Sequence, residues 1–257
     1  MKNPIRRNRN IGTAKQGHGQ NNCLEIPESW HDSSVFFERL VSPVKIKRMI
    51  NGREIFFFVE PTLSDFRHSC TIDDIQKLIE LLPPEDVCGI AIIVLRQPTR
   101  KQTILDYPWG RLAHFYEFNN CRGAAIVLEA QELKKPIRWS KSICPQRKRE
   151  LDRLEDDGHR VVMTKRCVEI NSKLDNCRNT QLFRTVPHEV GHHIHYQKVN
   201  NDNIYSSLPI DEKETFAHRY ADEFKWKMEE QLKIPFPRIL CEKSLQKDNL
   251  NIHWFKE

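Results

Sequence analysis

The sequence predicts an α+β fold in which a mixed β-sheet packs against one motif-bearing helix and a second helix that completes its site. Three observations lead there. Short runs rich in β-branched residues, separated by turn signals, occupy most of residues 44–170. Two longer segments with helical apolar spacing follow within residues 171–232. The first of these holds His-Glu-Val-Gly-His at residues 188–192.

The elements are justified in chain order. Residues 44–50 and 53–60 flank Asn51-Gly52, a dipeptide suited to a two-residue hairpin turn because both positions need positive φ. Thr71 and Asp74 have capping-box spacing, and Ile75, Leu78, Ile79 and Leu82 recur on one helical face until Pro83-Pro84 stops the helix. GIAIIVLR at 89–96 reads as a strand buried on both faces. Residues 101–105 read as a further strand, 106–120 as an aromatic loop around Tyr107-Pro108-Trp109-Gly110, and 123–130 as another strand. The charged stretch 145–157 carries Leu151 and Leu154 at helical spacing and ends at Gly158, a surface helix. Residues 160–170 return to strand character. No internal repeat is present.

Composition narrows the class. The chain has 257 residues, 39% of them hydrophobic and 30% charged, with a net charge of +6. That suits one domain with a tail, so 23–257 is expected to be a single unit: a sheet-rich part to 170, two site helices to 232, and a C-terminal extension over 233–257. Residues 1–22 are basic, through Lys2, Arg6, Arg7, Arg9 and Lys15, and nearly free of apolar side chains, the pattern of a disordered tail. Such a tail can contact nucleic acid, though no interleaved aromatics favour it over a solvated one. No run approaches the roughly 20 apolar residues of a membrane span, and the N-terminus lacks a secretion signal's apolar core. The eight cysteines form no Cys-x-x-Cys pair. These features predict a soluble cytoplasmic protein with reduced, mostly buried thiols and no membrane partner.

The motif carries the chemistry. Residues four apart on a helix share a face, so His188 and His192 can direct two imidazoles at one ion. Glu189 lies one residue round the helix, where it can reach a water on the metal without binding it. Leu182, Phe183, Val186, Val190 and Ile194 supply the apolar stripe of that helix. Gly191 costs roughly 1 kcal/mol in a helix interior relative to Ala, which implies a close neighbour, with a sheet strand the expected one. Pro187 removes a helical hydrogen bond and predicts a kink or a looser first turn. The bland alternative is an amphipathic helix with solvated or core-satisfied histidines.

A catalytic zinc takes three protein ligands and a water. The pattern that takes its third ligand from the same run, a glycine three residues after His192 and a histidine three further on, fails because those positions hold His195 and Lys198. A second helix over 211–224 is the other solution, with Glu214 beside an apolar stripe of Phe216, Tyr220 and Phe224, and with Asp211 and Glu212 as rivals suited to a helix N-terminus. Ala217 and Ala221 would let that helix approach the first closely.

His188-Glu189-Val190-Gly191-His192 followed by Glu214, Ala217, Tyr220 and Ala221 resembles the gluzincin-type zincin metallopeptidases, and most closely the ImmA/IrrE-like peptidases. The likeness covers about residues 180–224. It implies a zincin-like fold, a Zn2+ cofactor held by His188, His192 and Glu214, Glu189 as general base, and a peptide or protein substrate. His195, His218 and Tyr220 are candidates for supporting the ligands or donating to the developing oxyanion, whereas His193 is expected in solvent. The substrate edge is expected from 123–130 or 160–170, and the Asn-rich loop 200–209 as a mobile cover. Two other readings compete. One is a zinc hydrolase of a non-peptide amide, for which a deformylase-type cysteine ligand is poorly matched by Cys121 or Cys167. The other is a non-catalytic zinc module with a nucleic-acid-contacting tail, which has no use for Glu189.

Overall fold

A computed structural model describes residues 40–105 and 108–256. The expectation of a disordered basic tail falls outside these residues. The described part is α+β with a mixed five-stranded sheet at its centre.

Strands β1 (Val44–Ile50) and β2 (Arg53–Val59) form an antiparallel hairpin across Asn51-Gly52, whose φ values of 50° and 75° are what a two-residue turn needs. Helix α1 (Ile72–Leu81) crosses to β4 (Ile90–Arg96), which pairs parallel to β2. Its capping box is formed: the Asp74 N–H donates to Thr71 Oγ1 and the Thr71 N–H to Asp74 Oδ2. β6 (Cys121–Glu129) pairs parallel to β4, and β5 (Gly110–Phe118) closes the sheet as an antiparallel edge, giving the order β1-β2-β4-β6-β5. A short pair, β3 (Phe66–Arg67) with β7 (Gln131–Glu132), sits apart.

Two expectations are corrected here. Residues 101–105 belong to helix α2 (Arg100–Leu105), because Thr99 starts a turn: Gln102 accepts from its N–H and hydroxyl. Of the segment 106–120, expected as a loop, residues 110–118 form β5, and the chain turns through Asn119 and Asn120, both at positive φ, into β6.

The core explains the helix positions. One sheet face, with Phe57, Ile93 and Ile126, packs on α1 and on the helices that follow residue 174. The other face buries Phe58, Ile92, Val94 and Val127 in a separate cluster, so β4 is apolar on both sides. A second small sheet has the order β8-β10-β9, from β8 (Ile137–Ser140), β9 (Arg160–Met163) and β10 (Cys167–Asn171). Thus 160–170 holds two strands. Helix α3 (Pro145–Asp156) lays Leu151 and Leu154 on Val168 and Ile170 of that sheet.

The C-terminal half is helical. α4 (Leu174–Arg178) passes through a π-helical turn at Asn179–Thr185 into α5 (Val186–Val199). α6 (Asp202–Ser207), α7 (Ile210–Glu230) and α8 (Glu242–Lys247) follow. The segment expected as an extension contributes Phe236, Leu245, Leu250 and Phe255 to the main core. Of the seven cysteines among the described residues, Cys70, Cys121 and Cys177 are buried while Cys88, Cys144 and Cys241 are exposed, so the thiols are not mostly buried. Among the described residues no helix is long and apolar enough to cross a membrane.

Candidate metal centre

The π-helical turn resolves the difficulty posed by Pro187. Proline lacks an N–H and its ring collides with the carbonyl four residues earlier in a regular helix. Here the preceding turn is widened: the Val186 N–H reaches back five residues to the Gln181 carbonyl, and Thr185 Oγ1 donates to the Thr180 carbonyl. Proline therefore enters α5 at its first turn without a broken ladder bond. Gln181 pins the wide turn to the sheet, donating to the carbonyls of Trp109 and Glu129 at 2.6 and 2.7 Å.

The next turn presents the motif. His188 Nε2 and His192 Nε2 stand 3.1 Å apart. Glu214, in the first turns of α7, places Oε2 3.3 Å from His188 Nε2 and Oε1 3.4 Å from His192 Nε2. Of the three acids Asp211, Glu212 and Glu214, it is Glu214 that reaches both histidines. Hydrogen bonding from His188 and His192 holds its carboxyl well below the usual carboxylate range.

Gly191 makes this meeting geometrically feasible. A Cβ there would lie 2.8 Å from Ala217 Cα and 3.0 Å from the Ala217 carbonyl oxygen. The close neighbour is thus α7, not a sheet strand, and Ala217 and Ala221 are both buried in that contact.

Glu189 is 6% exposed. Burial raises its pKa, opposed by His188, His192 and the Leu112 backbone N–H of β5, so this carboxylate holds a proton more readily than a solvated one. It faces a cleft of about 620 Å³ that His188, His192, Glu214 and the β5 residues Gly110 to Leu112 also line. The edge strand at the cleft is therefore β5, rather than 123–130 or 160–170. β5 carries a bulge between Ala113 and Tyr116, and His114 within it reaches the same cleft.

The remaining candidates separate. His218 lies beside the centre, its ring 4.4 Å from that of His188 and its Nε2 3.9 Å from Glu214 Oε2. Burial, reinforced by His188 and Arg153, pushes its pKa down to about 3, so it is neutral. Tyr220 is turned away: its hydroxyl donates to Asp86 at 2.6 Å, because the face of α7 that carries Ala217 and Ala221 leads it towards α1's C-terminal loop. His195 stacks on Phe216, rings 4.5 Å apart at 14°. Two turns of helix have carried it past the centre. His193 is buried rather than solvated, bonded through Nε2 to the Cys88 carbonyl at 2.6 Å.

Sequence reasoning missed several residues. Tyr205 lines the cleft and sits in a cage of the His114, Tyr196 and His195 rings; burial raises its pKa to about 12. The loop that holds it is helix α6, whose start was visible in Asn201, the cap that accepts from the Ile204 N–H. Arg184, Glu150 and Arg153, which wall the centre from the α3 side, gave no local signal.

Ligand atoms about 2.0–2.1 Å from a tetrahedral zinc stand about 3.3 Å apart. The two imidazole Nε2 atoms, 3.1 Å apart, are close to that edge, and each has a different Glu214 oxygen at a similar distance, 3.3 Å for His188 and 3.4 Å for His192. Two imidazole nitrogens and a carboxylate are also the donor types that zinc takes. The residues present therefore fit the ion. No protein-family model, curated protein or solved structure matches this chain.

Proposed function

We propose that the chain is a zincin-like, zinc-dependent peptidase. The convergence of His188 Nε2, His192 Nε2 and Glu214 on one point, with buried Glu189 beside it in an open cleft, carries this reading. A zinc ion there supplies Lewis acidity and lowers the pKa of a water towards roughly 7.

The chain's own residues do the rest. Glu189, with its raised proton affinity, takes the proton of the attacking water and returns it to the departing amine. β5 is the edge strand of its sheet and lines the cleft, a placement that suits an extended peptide bringing a carbonyl to the centre. The Tyr205 hydroxyl, which donates to the His192 carbonyl at 3.5 Å, stays protonated through the working pH range and lines the cleft, where it turns to the oxygen that gains charge. Leu112 and the ring of His114 flank that path and exclude water from one side.

A non-peptide amide hydrolase is the alternative. The described lining of the cleft contains no cysteine, which removes the deformylase-type ligand set from it. A purely structural zinc module leaves Glu189 without a role. The peptide reading is favoured by β5, an edge that suits a strand-shaped substrate.

Zinc content of the purified chain tests this. About one zinc per chain is expected, kept in Glu189→Gln and lost or much reduced in His188→Ala and Glu214→Ala. Absence of zinc in the unmutated protein after adding the metal back would sink the proposal.

A further inference from the structure

We infer that Arg153 is a positioning residue that keeps His218 out of the coordination shell and so leaves one position open for water. The inference rests on the zinc site proposed above. Four groups crowd that site, not three: His188, Glu214 and His218 also offer ligand atoms within 4.8 Å of one another. If His218 joined the other ligands, four protein donors would close the site, which is the arrangement of a structural zinc rather than a catalytic one.

The geometry holds His218 back. Its Nε2 is 3.9 Å from Glu214 Oε2, longer than the 3.3 and 3.4 Å made by His188 and His192. Arg153 Nη1 donates to the same Nε2 at 3.3 Å. A guanidinium only donates, so Nε2 must accept and the ring proton sits on Nδ1. An imidazole nitrogen has one lone pair. While Arg153 occupies it, Nε2 cannot ligate, and a fixed cation beside it disfavours a metal ion there.

Arg153 is itself held. It lies 3.8 Å from Glu150 on its own helix. Both Glu150 oxygens accept from Arg184 Nη1, at 2.8 and 2.9 Å, and Arg184 Nε donates to buried Asp157 at 2.8 Å. Arg184 lies four residues before His188 on the same helical run. The clamp on His218 is therefore built from the helix that presents the first ligand.

Zinc affinity of the metal-free full chain, measured by competition with a chromophoric chelator, tests this without a substrate. His218→Phe is expected to stay within about threefold of the unmutated protein. Arg153→Met should tighten zinc at least tenfold, because His218 is then free to ligate. The Arg153→Met/His218→Phe double variant should return to within about threefold of His218→Phe, and Arg153→Lys should behave as unmutated. Tenfold weaker binding in His218→Phe overturns the inference, since His218 would already be a ligand; this arm does not depend on how Arg153→Met folds. Equal tightening with and without His218 overturns it too, as removal of charge alone would explain that. So does no tightening. If the unmutated chain binds no zinc, the site itself fails first, a result seen before any Arg153 variant is made.

Discussion

The two helical walls of the cleft are built on opposite principles. On the α7 side, Gly191 and Ala217 bring two backbones together. On the α3 side, contact is made by charge: Glu150, Arg184 and Asp157 are joined by hydrogen-bonded ion pairs, with Arg184 only 11% exposed and Asp157 3%. The first wall fixes a distance, that between His188, His192 and Glu214. The second fixes an orientation, that of Arg153 and through it His218. The first must therefore be sensitive to volume and the second to the loss of a partner charge.

The largest expected effect breaks the charged wall. Arg184→Met leaves buried Asp157, among the described side chains, with the Thr180 hydroxyl and Lys225 at 3.8 Å, and removes the clamp on Glu150. Loss of one member of a buried pair costs about 3–5 kcal/mol. Urea unfolding should report a fall of that order. Arg184→Met with Asp157→Asn should recover part of it, because no uncompensated buried charge then remains. A double variant no more stable than the single would show that volume, not charge, holds this wall.

A smaller effect is expected at the packed wall. Gly191→Ala must push α7 outward by a few tenths of an ångström or more, since its Cβ would meet backbone rather than a movable side chain. Overpacking of this kind costs about 1–3 kcal/mol, offset by the roughly 1 kcal/mol gained in helix propensity. Stability should thus fall only modestly, whereas zinc affinity should fall at least tenfold as Glu214 moves away from the histidines. Unchanged zinc affinity would break the link between Gly191 and ligand spacing.

The same contrast explains what was legible in the sequence. The packed wall is written in short-range spacing, His188 to His192 on one helix and Ala217 to Ala221 on the other, so both helices could be read; the residues alone left Asp211, Glu212 and Glu214 as rivals, and only the family resemblance singled out Glu214. The α1 capping box and the Asn51-Gly52 hairpin are local for the same reason. The charged wall was invisible because Arg184, Glu150 and Asp157 pair across 27 to 34 residues, and nothing in sequence chooses among 41 basic and 35 acidic side chains. β5 was hidden by its Pro108-Trp109-Gly110 start, which reads as a turn. Tyr220 was misplaced because helical spacing fixes a face but not what that face meets, here Asp86. The π-helical turn was announced only as a misfit, Pro187, whose remedy lies in the preceding turn.

An effect of comparable size, confined to low pH, concerns protons at the charged wall. His159 is 4% exposed, bonded at Nδ1 to Ser172 Oγ (2.7 Å) and at Nε2 to Thr180 Oγ1 (2.9 Å). Burial, with Arg184 assisting and Asp157 opposing, pushes its pKa down to about 4 from 6.5. Above about pH 6.5 the ring is neutral in both the folded and the unfolded chain, and its contribution is fully present. As pH falls towards 4 the unfolded chain takes a proton that the folded chain refuses, so stability is lost across that window. At pH 5 the loss is about 2 kcal/mol. His159→Gln keeps one hydrogen bond but cannot titrate, and the difference in its unfolding free energy between pH 7.5 and pH 5, from urea titrations, should shrink by that amount. An undiminished difference would mean that the ring takes its proton within the fold, with Asp157 rather than burial deciding its charge.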